Sequence, residues 1–285
     1  MNRKLPRRLF IMQMLSLLGA CKSQDTSTKE LELVVGVISY GEEKQVIERF
    51  SHFCKYLGEK IGAIIQLEAT FNENMAMERI RNRAWSLVFA TPGLAAFAKV
   101  NYQYLPIFPL ETDGNSRSIY VVRQDSSLQN LNDLQGKTIA LGLPGSATGY
   151  YFPLYNLYGL TLAEILFAPT PQIILEWVAQ KKASAGAMSL EEFNLNKIKF
   201  SGVEFRILFT DPHNVPPGAL LISPNIERNR QELIRNYLQQ APPSLIQEVE
   251  YIPNGELPDY RQMISVVNQV TSIAANLRSQ PARIF

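Results

Sequence analysis

Asp133-Leu-Gln-Gly-Lys-Thr-Ile-Ala-Leu-Gly-Leu-Pro-Gly-Ser-Ala-Thr-Gly-Tyr-Tyr-Phe-Pro153 is the stretch that decides how this chain folds. It runs turn, strand, small-residue loop, helix start. Lys137 to Leu141 is a short β-rich run behind Gly136, and Pro144 and Gly145 stop it. Ser146, Ala147, Thr148 and Gly149 then open an apolar run, read as a helix from Ala147 to Tyr158. A helix that begins here leaves its first N–H groups without partners inside the helix. Those groups and the positive end of the helix dipole favour an anion. The hydroxyls of Ser146 and Thr148 can add donors, and the small side chains let a ligand come close. The same residues also make an ordinary strand-to-helix turn with Ser146 as its N-cap. The stretch alone does not choose between the two readings, because short glycine-rich motifs are weak signals.

Outward from this loop, the pattern alternates in both directions. Leu31 to Ile38 reads as a strand, and Glu42 to Lys60 as a helix with Val46, Phe50, Phe53, Leu57 and Ile61 at helical spacing. Ala63 to Ala69 is the next strand, Asn72 or Glu73 to Arg83 a helix, Ser86 to Ala90 a strand, and Leu94 to Val100 a small-residue helix behind Thr91-Pro-Gly93. Proline there is a helix-start signal. Tyr104 to Pro109 closes this run as a strand. Beyond a turn-rich break, Ser118 to Arg123, Thr138 to Leu141, Glu164 to Ala168, Ser184 to Met188 and Glu204 to Phe209 read as strands. Helices at 171–181 and 190–198 separate the last three. After Asp211 to Gly218, a short strand (219–223) and helices at 227–239, 243–248 and 259–275 follow.

This alternation predicts an α/β fold of two lobes, each a doubly wound, mostly parallel sheet, with a hinge of two crossings near 112–118 and 211–218. The expected division is lobe 1 over 31–115 plus 214–285 and lobe 2 over 116–213. Ligands favour such inter-lobe clefts and the carboxyl ends of strands. Ser39-Tyr-Gly41, Thr91-Pro-Gly93 and Gly145 to Gly149 lie at such ends, which predicts that they meet at one cleft.

Composition narrows the function. The 285 residues are 46% hydrophobic and 19% charged, as in a globular protein. The formal charge of +2 comes from Arg3, Lys4, Arg7 and Arg8; without them the balance is 24 basic against 26 acidic residues. No basic stripe with interleaved aromatics appears, so nucleic acid is not an expected partner. With His52 and His213 as the two histidines and no Cys/His spacing, no metal site and no cofactor are expected. Residues 1–20 read as a signal peptide: a basic start, then the apolar run Leu9 to Ala20, too short for a spanning helix. Leu18-Gly-Ala-Cys21 resembles a bacterial lipobox, with Cys21 as the lipidated residue and 21–30 as a polar tether. An ordinary signal peptide with a chance cysteine is the other reading. Cys54, among Phe50, Phe53 and Leu57, reads as a buried structural thiol.

Gly36-Val-Ile-Ser-Tyr40 followed by a helix ending in Leu57-Gly-Glu-Lys-Ile-Gly62, then Asp133-Leu-Gln-Gly-Lys137, then Pro144-Gly-Ser-Ala-Thr-Gly149 before Tyr150 and Pro153, together resemble the periplasmic solute-binding proteins of ABC transporters, in the phosphonate/phosphite/phosphate-like branch. The resemblance covers most of residues 31–224. It implies a type II-like periplasmic-binding-protein fold that captures a small oxyanion between its lobes and delivers it to a membrane permease. It implies that Tyr40 donates its hydroxyl to a ligand oxygen. Ser146 and Thr148 would be further donors, with the N–H groups of Ala147, Thr148 and Gly149. Thr91 stands where the family's third strand ends in Gly-Pro and would face the cleft. Packing for Tyr40 and helix capping for Thr91 are their structural alternatives.

The chain departs from the family pattern at informative places. Ala147 replaces the middle hydroxyl of a Ser-Thr-Ser-Gly loop, no histidine stands near Thr170-Pro-Gln172, and Ser184 replaces the acid of a Val-Asp-Ala segment. Glu191 and Glu192 read as a solvated helix face, and none of these loops carries an arginine to clamp a phosphate. These departures disfavour an aminophosphonate and leave phosphite, methylphosphonate, phosphate or another ligand open. No nucleophile–base pair is visible, so the expectation is a monomeric, lipid-anchored binding protein and not an enzyme. A ligand sensor feeding a membrane receptor and an enzyme on the same fold are the alternatives.

Overall fold

Strands and helices alternate through both halves of the chain. The structure, a computed structural model, describes residues 31–39, 43–112 and 116–285. The first half runs β1 (Leu31–Ile38), α1 (Glu43–Ile61), β2 (Ala63–Thr70), α2 (Glu73–Arg81), β3 (Leu87–Ala90), α3 (Pro92–Tyr102) and β4 (Leu105–Pro109). The second runs β5 (Ser118–Arg123), β6 (Thr138–Leu141), a π turn (Ala147–Tyr151) leading into α4 (Phe152–Asn156), β7 (Thr161–Leu162), β8 (Glu164–Phe167), α5 (Pro171–Ala179), β9 (Ala185–Ser189), α6 (Leu190–Lys197) and β10 (Phe205–Thr210). The chain ends in β11 (Ala219–Ile222), α7 (Arg228–Gln239), α8 (Pro243–Val249), α9 (Arg261–Ile273) and β12 (Ala282–Arg283). Residues Glu32–Phe285, which carry all of these elements except the first residue of β1, form one unit.

The helical spacing in α1 has its expected consequence: Phe50, Phe53 and Leu57 are buried, and Phe50 and Phe53 meet the ring of Phe89 on β3 edge to face. Cys54 on the same helix is partly buried, and burial pushes its thiol up to about 11. Strands β3, β6, β9 and β11 are nearly continuous apolar or small-residue runs, as strands covered on both faces require.

Among the described residues the strands form two five-stranded sheets, ordered β2-β1-β3-β11-β4 and β10-β5-β9-β6-β8, and a short ribbon, β12-β7. Neither large sheet is wholly parallel. In the first, β1 and β3 are parallel, while β11 runs antiparallel to both β3 and β4. In the second, β8, β6 and β9 are parallel, and β5 runs antiparallel to β9 and β10. The expectation of mostly parallel sheets therefore becomes two mixed sheets. The reason is topological: β5 and β11 are the strands by which the chain enters a sheet from the other one.

The two crossings lie side by side. Asp211 N–H donates to the Ser118 carbonyl and Val215 N–H to the Ser116 carbonyl, while Leu110 N–H donates to the Gly218 carbonyl. The end of the chain departs from the expected division, which gave 214–285 to the first lobe. Helix α9 buries Met263, Val266, Val267, Val270 and Ile273 and packs on α3 of the first half and on the π turn and α4 of the second. Beyond it, β12 pairs with β7, and Ile284 N–H donates to the Leu160 carbonyl. The apolar Ala282 and Ile284, both fully buried, hold this tail on the second half.

Candidate functional site

The loop after β6 differs from the predicted helix. Residues Ala147–Tyr151 form a π turn, with Tyr151 N–H donating to the Ser146 carbonyl and Phe152 N–H to the Ala147 carbonyl. Pro153 explains this. In an α-helix its nitrogen would bond to the Gly149 carbonyl, but proline has no N–H and its ring crowds that position. The Gly149 carbonyl instead accepts from Gly142 N–H at 2.8 Å, which widens the first turn.

Within that turn the capping role of Ser146 is realised. Its Oγ accepts from Gly149 N–H at 3.0 Å. The Gly149 N–H is therefore occupied, whereas the Ser146 O–H hydrogen is still available to donate. Ala147 and Thr148 are buried, and the Thr148 carbonyl accepts from Ser118 Oγ at 2.7 Å. Gly145 has φ +108, a conformation side chains rarely adopt, and a Cβ there would lie 2.5 Å from Glu73 Cβ.

The loops of the two halves meet. A Cβ on Gly93 would fall 2.2 Å from the Gly145 carbonyl oxygen and 2.7 Å from the Ala147 nitrogen. The start of α3 and the loop after β6 are thus in backbone contact, and only glycine fits at 93. Thr91 is the N-cap of α3, yet its side chain makes no capping bond. Among the described residues, Thr91 Oγ1 and Ser39 Oγ are the buried side-chain polar atoms without a hydrogen-bond partner. Both follow directly on their strands, β1 and β3. Tyr40, like Gly41, Glu42 and Cys21, lies outside the described residues.

Two cavities carry residues of these loops. The larger, roughly 370 Å³, opens beside the carboxyl ends of β1 and β3 and is walled by Thr91, Phe89, Arg49, both crossings and Glu191. The smaller, roughly 20 Å³, carries Ser146, Gly149, Thr170, Glu73 and Glu192 and has room for about one water. Thr91 and the Ser146–Gly149 loop therefore face different cavities with the loops in contact.

A family model for the ABC transporter, phosphonate, periplasmic substrate-binding protein matches residues 35–267. The chain belongs to this family. Its members are the substrate-binding components of phosphonate ABC transporters, and they work with a membrane permease. Solved structures share the fold. A Xanthomonas citri protein bound to chloride ion has a TM-score of 0.68 at 18% identity, over 85% of this chain and 99% of its own. PhnD1 from Prochlorococcus marinus in complex with methylphosphonate has 0.65 at 16%, over 85% and 99%. A binding-protein component of an ABC phosphonate transporter from Pseudomonas aeruginosa has 0.62 at 14%, over 87% and 89%. No curated protein matches the sequence.

This binding protein carries charged groups near its cavities that the loop sequences alone did not reveal. Arg49, on α1, lines the larger cavity, but its guanidinium is held by Glu250 at 2.5 Å and by the Glu248 carbonyl at 2.7 Å. Glu111 and Glu191 line the same cavity, and Ser116 Oγ donates to Glu191 at 3.3 Å. Glu192 is no solvated helix residue. It closes a capping box with Ser189, accepting from Ser189 N–H at 2.8 Å, and removal from water raises its pKa. The Ser189-Leu-Glu-Glu192 spacing is itself a capping-box signal and could have shown this in the sequence. Ser39 was not among the predicted site residues. Its unpartnered oxygen is a consequence of packing, which no local pattern records. Among the described residues no group of His, Cys, Asp and Glu is arranged to hold a metal ion, and no helix is long and apolar enough to cross a membrane.

Proposed function

We propose that this chain captures a small oxyanion, of the phosphonate, phosphite or phosphate kind, in the cleft between its two halves and presents it to a membrane permease without chemical turnover. The ligand-binding residues in this reading are Tyr40, Thr91, Ser146, Ala147, Thr148 and Gly149. The lobes are 31–115 with most of 214–285, and 116–213 with the tail that follows α9. A signal peptide over 1–20 and lipid on Cys21 would tether a monomer to the membrane through residues 21–30. The observation that carries the reading is the meeting of the Thr91–Gly93 and Gly145–Ala147 loops at the carboxyl ends of strands from opposite sheets. Neutral donors dominate these loops, and Arg49, a cation on the cavity wall, is already paired. Glu111 and Glu191 on that wall keep an ammonium-bearing phosphonate among the candidates, despite the missing acid at Ser184.

A thermal-shift screen of the protein lacking residues 1–21 against phosphite, methylphosphonate, aminoethylphosphonate, phosphate and sulfate tests this reading. A ligand at 100 times its Kd adds about 2.7 kcal/mol of stability. At least one oxyanion is expected to raise Tm. A flat response to all of them removes the ligand class.

A further inference from the structure

We infer that the ligand's oxygens dock on the first half of the molecule, on a pair of buried hydroxyls, Ser39 and Thr91, at the N-terminus of α3. This rests on the oxyanion reading above and relocates its centre of gravity away from the Ser146–Gly149 loop.

The pairing follows from strand register. Strands β1 and β3 are parallel neighbours, with Val35 opposite Leu87 and Gly36 opposite Val88. The same offset sets Ser39 level with Thr91, one residue past the end of each strand. Because side chains repeat every second residue, Ser39 shares a face with Val35, and Thr91 with Leu87. The two hydroxyls therefore sit on one face of adjacent strands. Ser39 is only 4% exposed, and neither hydroxyl oxygen has a partner among the described residues.

Buried hydroxyls without partners are rare in folded proteins, and each costs about 1–3 kcal/mol relative to a satisfied one. Two of them side by side mark a place completed by something else. Thr91 sharpens this, because an N-cap threonine usually bonds to an N–H of the first helical turn and this one does not. Its oxygen is buried and unpartnered at the start of the 11-residue helix α3, where the first N–H groups have no partner inside the helix. The group that satisfies such a set accepts hydrogen bonds and carries negative charge. Thr91 lies on the cavity of roughly 370 Å³, which is large enough for a small oxyanion. Ser146 lies on the one that holds about a water. Ala147 has no hydroxyl, so the second half contributes fewer donors than the family pattern supplies, and Ser39 and Thr91 make up the number.

Isothermal titration of the wild type, Ser39→Ala, Thr91→Val and Thr91→Ser with phosphite, methylphosphonate, aminoethylphosphonate, phosphate and sulfate tests the inference. For whichever oxyanion binds, Ser39→Ala and Thr91→Val are each expected to weaken affinity by about 10- to 100-fold. Thr91→Ser keeps the hydroxyl and is expected to stay within about threefold of the wild type. A second readout separates binding from folding: without ligand, Ser39→Ala is expected to keep or raise Tm, by up to about 2–4 °C, because it removes an unsatisfied group. Wild-type binding with both hydroxyl-free variants within twofold overturns the pair and leaves the oxyanion reading standing. A lowered ligand-free Tm for Ser39→Ala means the hydroxyl has a structural partner and also overturns it. Failure of the wild type to bind any of the five overturns both.

Discussion

Gly36 shows how tightly single atoms are prescribed in the first sheet. A Cβ at that position would lie 1.9 Å from Cδ2 of Trp85, whose ring is fully buried and whose Nε1 donates to Glu68 at 3.0 Å. The indole cannot move aside without losing that bond. Gly36→Ala is therefore expected to cost about 1–3 kcal/mol or more in urea unfolding. An unchanged midpoint would show that the ring has room to shift. The same residue belongs to the Gly36-Val-Ile-Ser-Tyr40 motif on which the family resemblance rests, so part of that motif is packing and not ligand chemistry. Ser39, one residue before the end of the motif, is the part that bears on the ligand. At this scale the sequence names the residue types but cannot say which hydroxyls end up without partners.

The elements were largely readable from sequence. Helix α1 and strands β1, β5 and β6 fall where apolar spacing puts them, because each buries apolar side chains. The π turn was not readable, because it depends on Gly142 donating to the Gly149 carbonyl that Pro153 leaves unbonded. The two-residue strands β7 and β12 were not readable either, since so short a segment has no period. Helix α6 carries a prediction about pH. Burial holds the Glu192 carboxyl above its usual range, so the native state keeps its proton to higher pH than the unfolded chain does. The associated stability is full below the unfolded value, about 4.3, and declines as pH rises toward the folded value. Glu192→Gln can keep the bond from Ser189 N–H and has no charge to bury. Its Tm is expected to fall less than that of the wild type between pH 4 and 7. Parallel curves would show that Glu192 is adequately hydrated in the fold.

For the molecule as a whole, Gly93 marks a point where the backbones of the two halves touch. Gly93→Ala would drive a methyl group into the Gly145 carbonyl. It is expected to weaken ligand binding more than tenfold and to increase the radius of gyration of the liganded protein in small-angle scattering. Unaltered scattering and affinity would mean that the halves close without this contact. The tail supplies a second test. Ile284 is fully buried, and its carbonyl accepts from Gly159 N–H at 2.8 Å. Ile284→Ala is expected to cost about 2–4 kcal/mol in chemical denaturation. A negligible cost would show that the last residues add nothing to the fold.

The pairing of β12 with β7 also bears on modularity. A lobe inserted between two crossings could be exchanged as a cassette between relatives by cutting the chain at those crossings. Here such a cassette would leave behind Ala282 and Ile284, which complete its apolar surface from the far end of the polypeptide. A working chimera of this protein is therefore expected to need a further junction after α9.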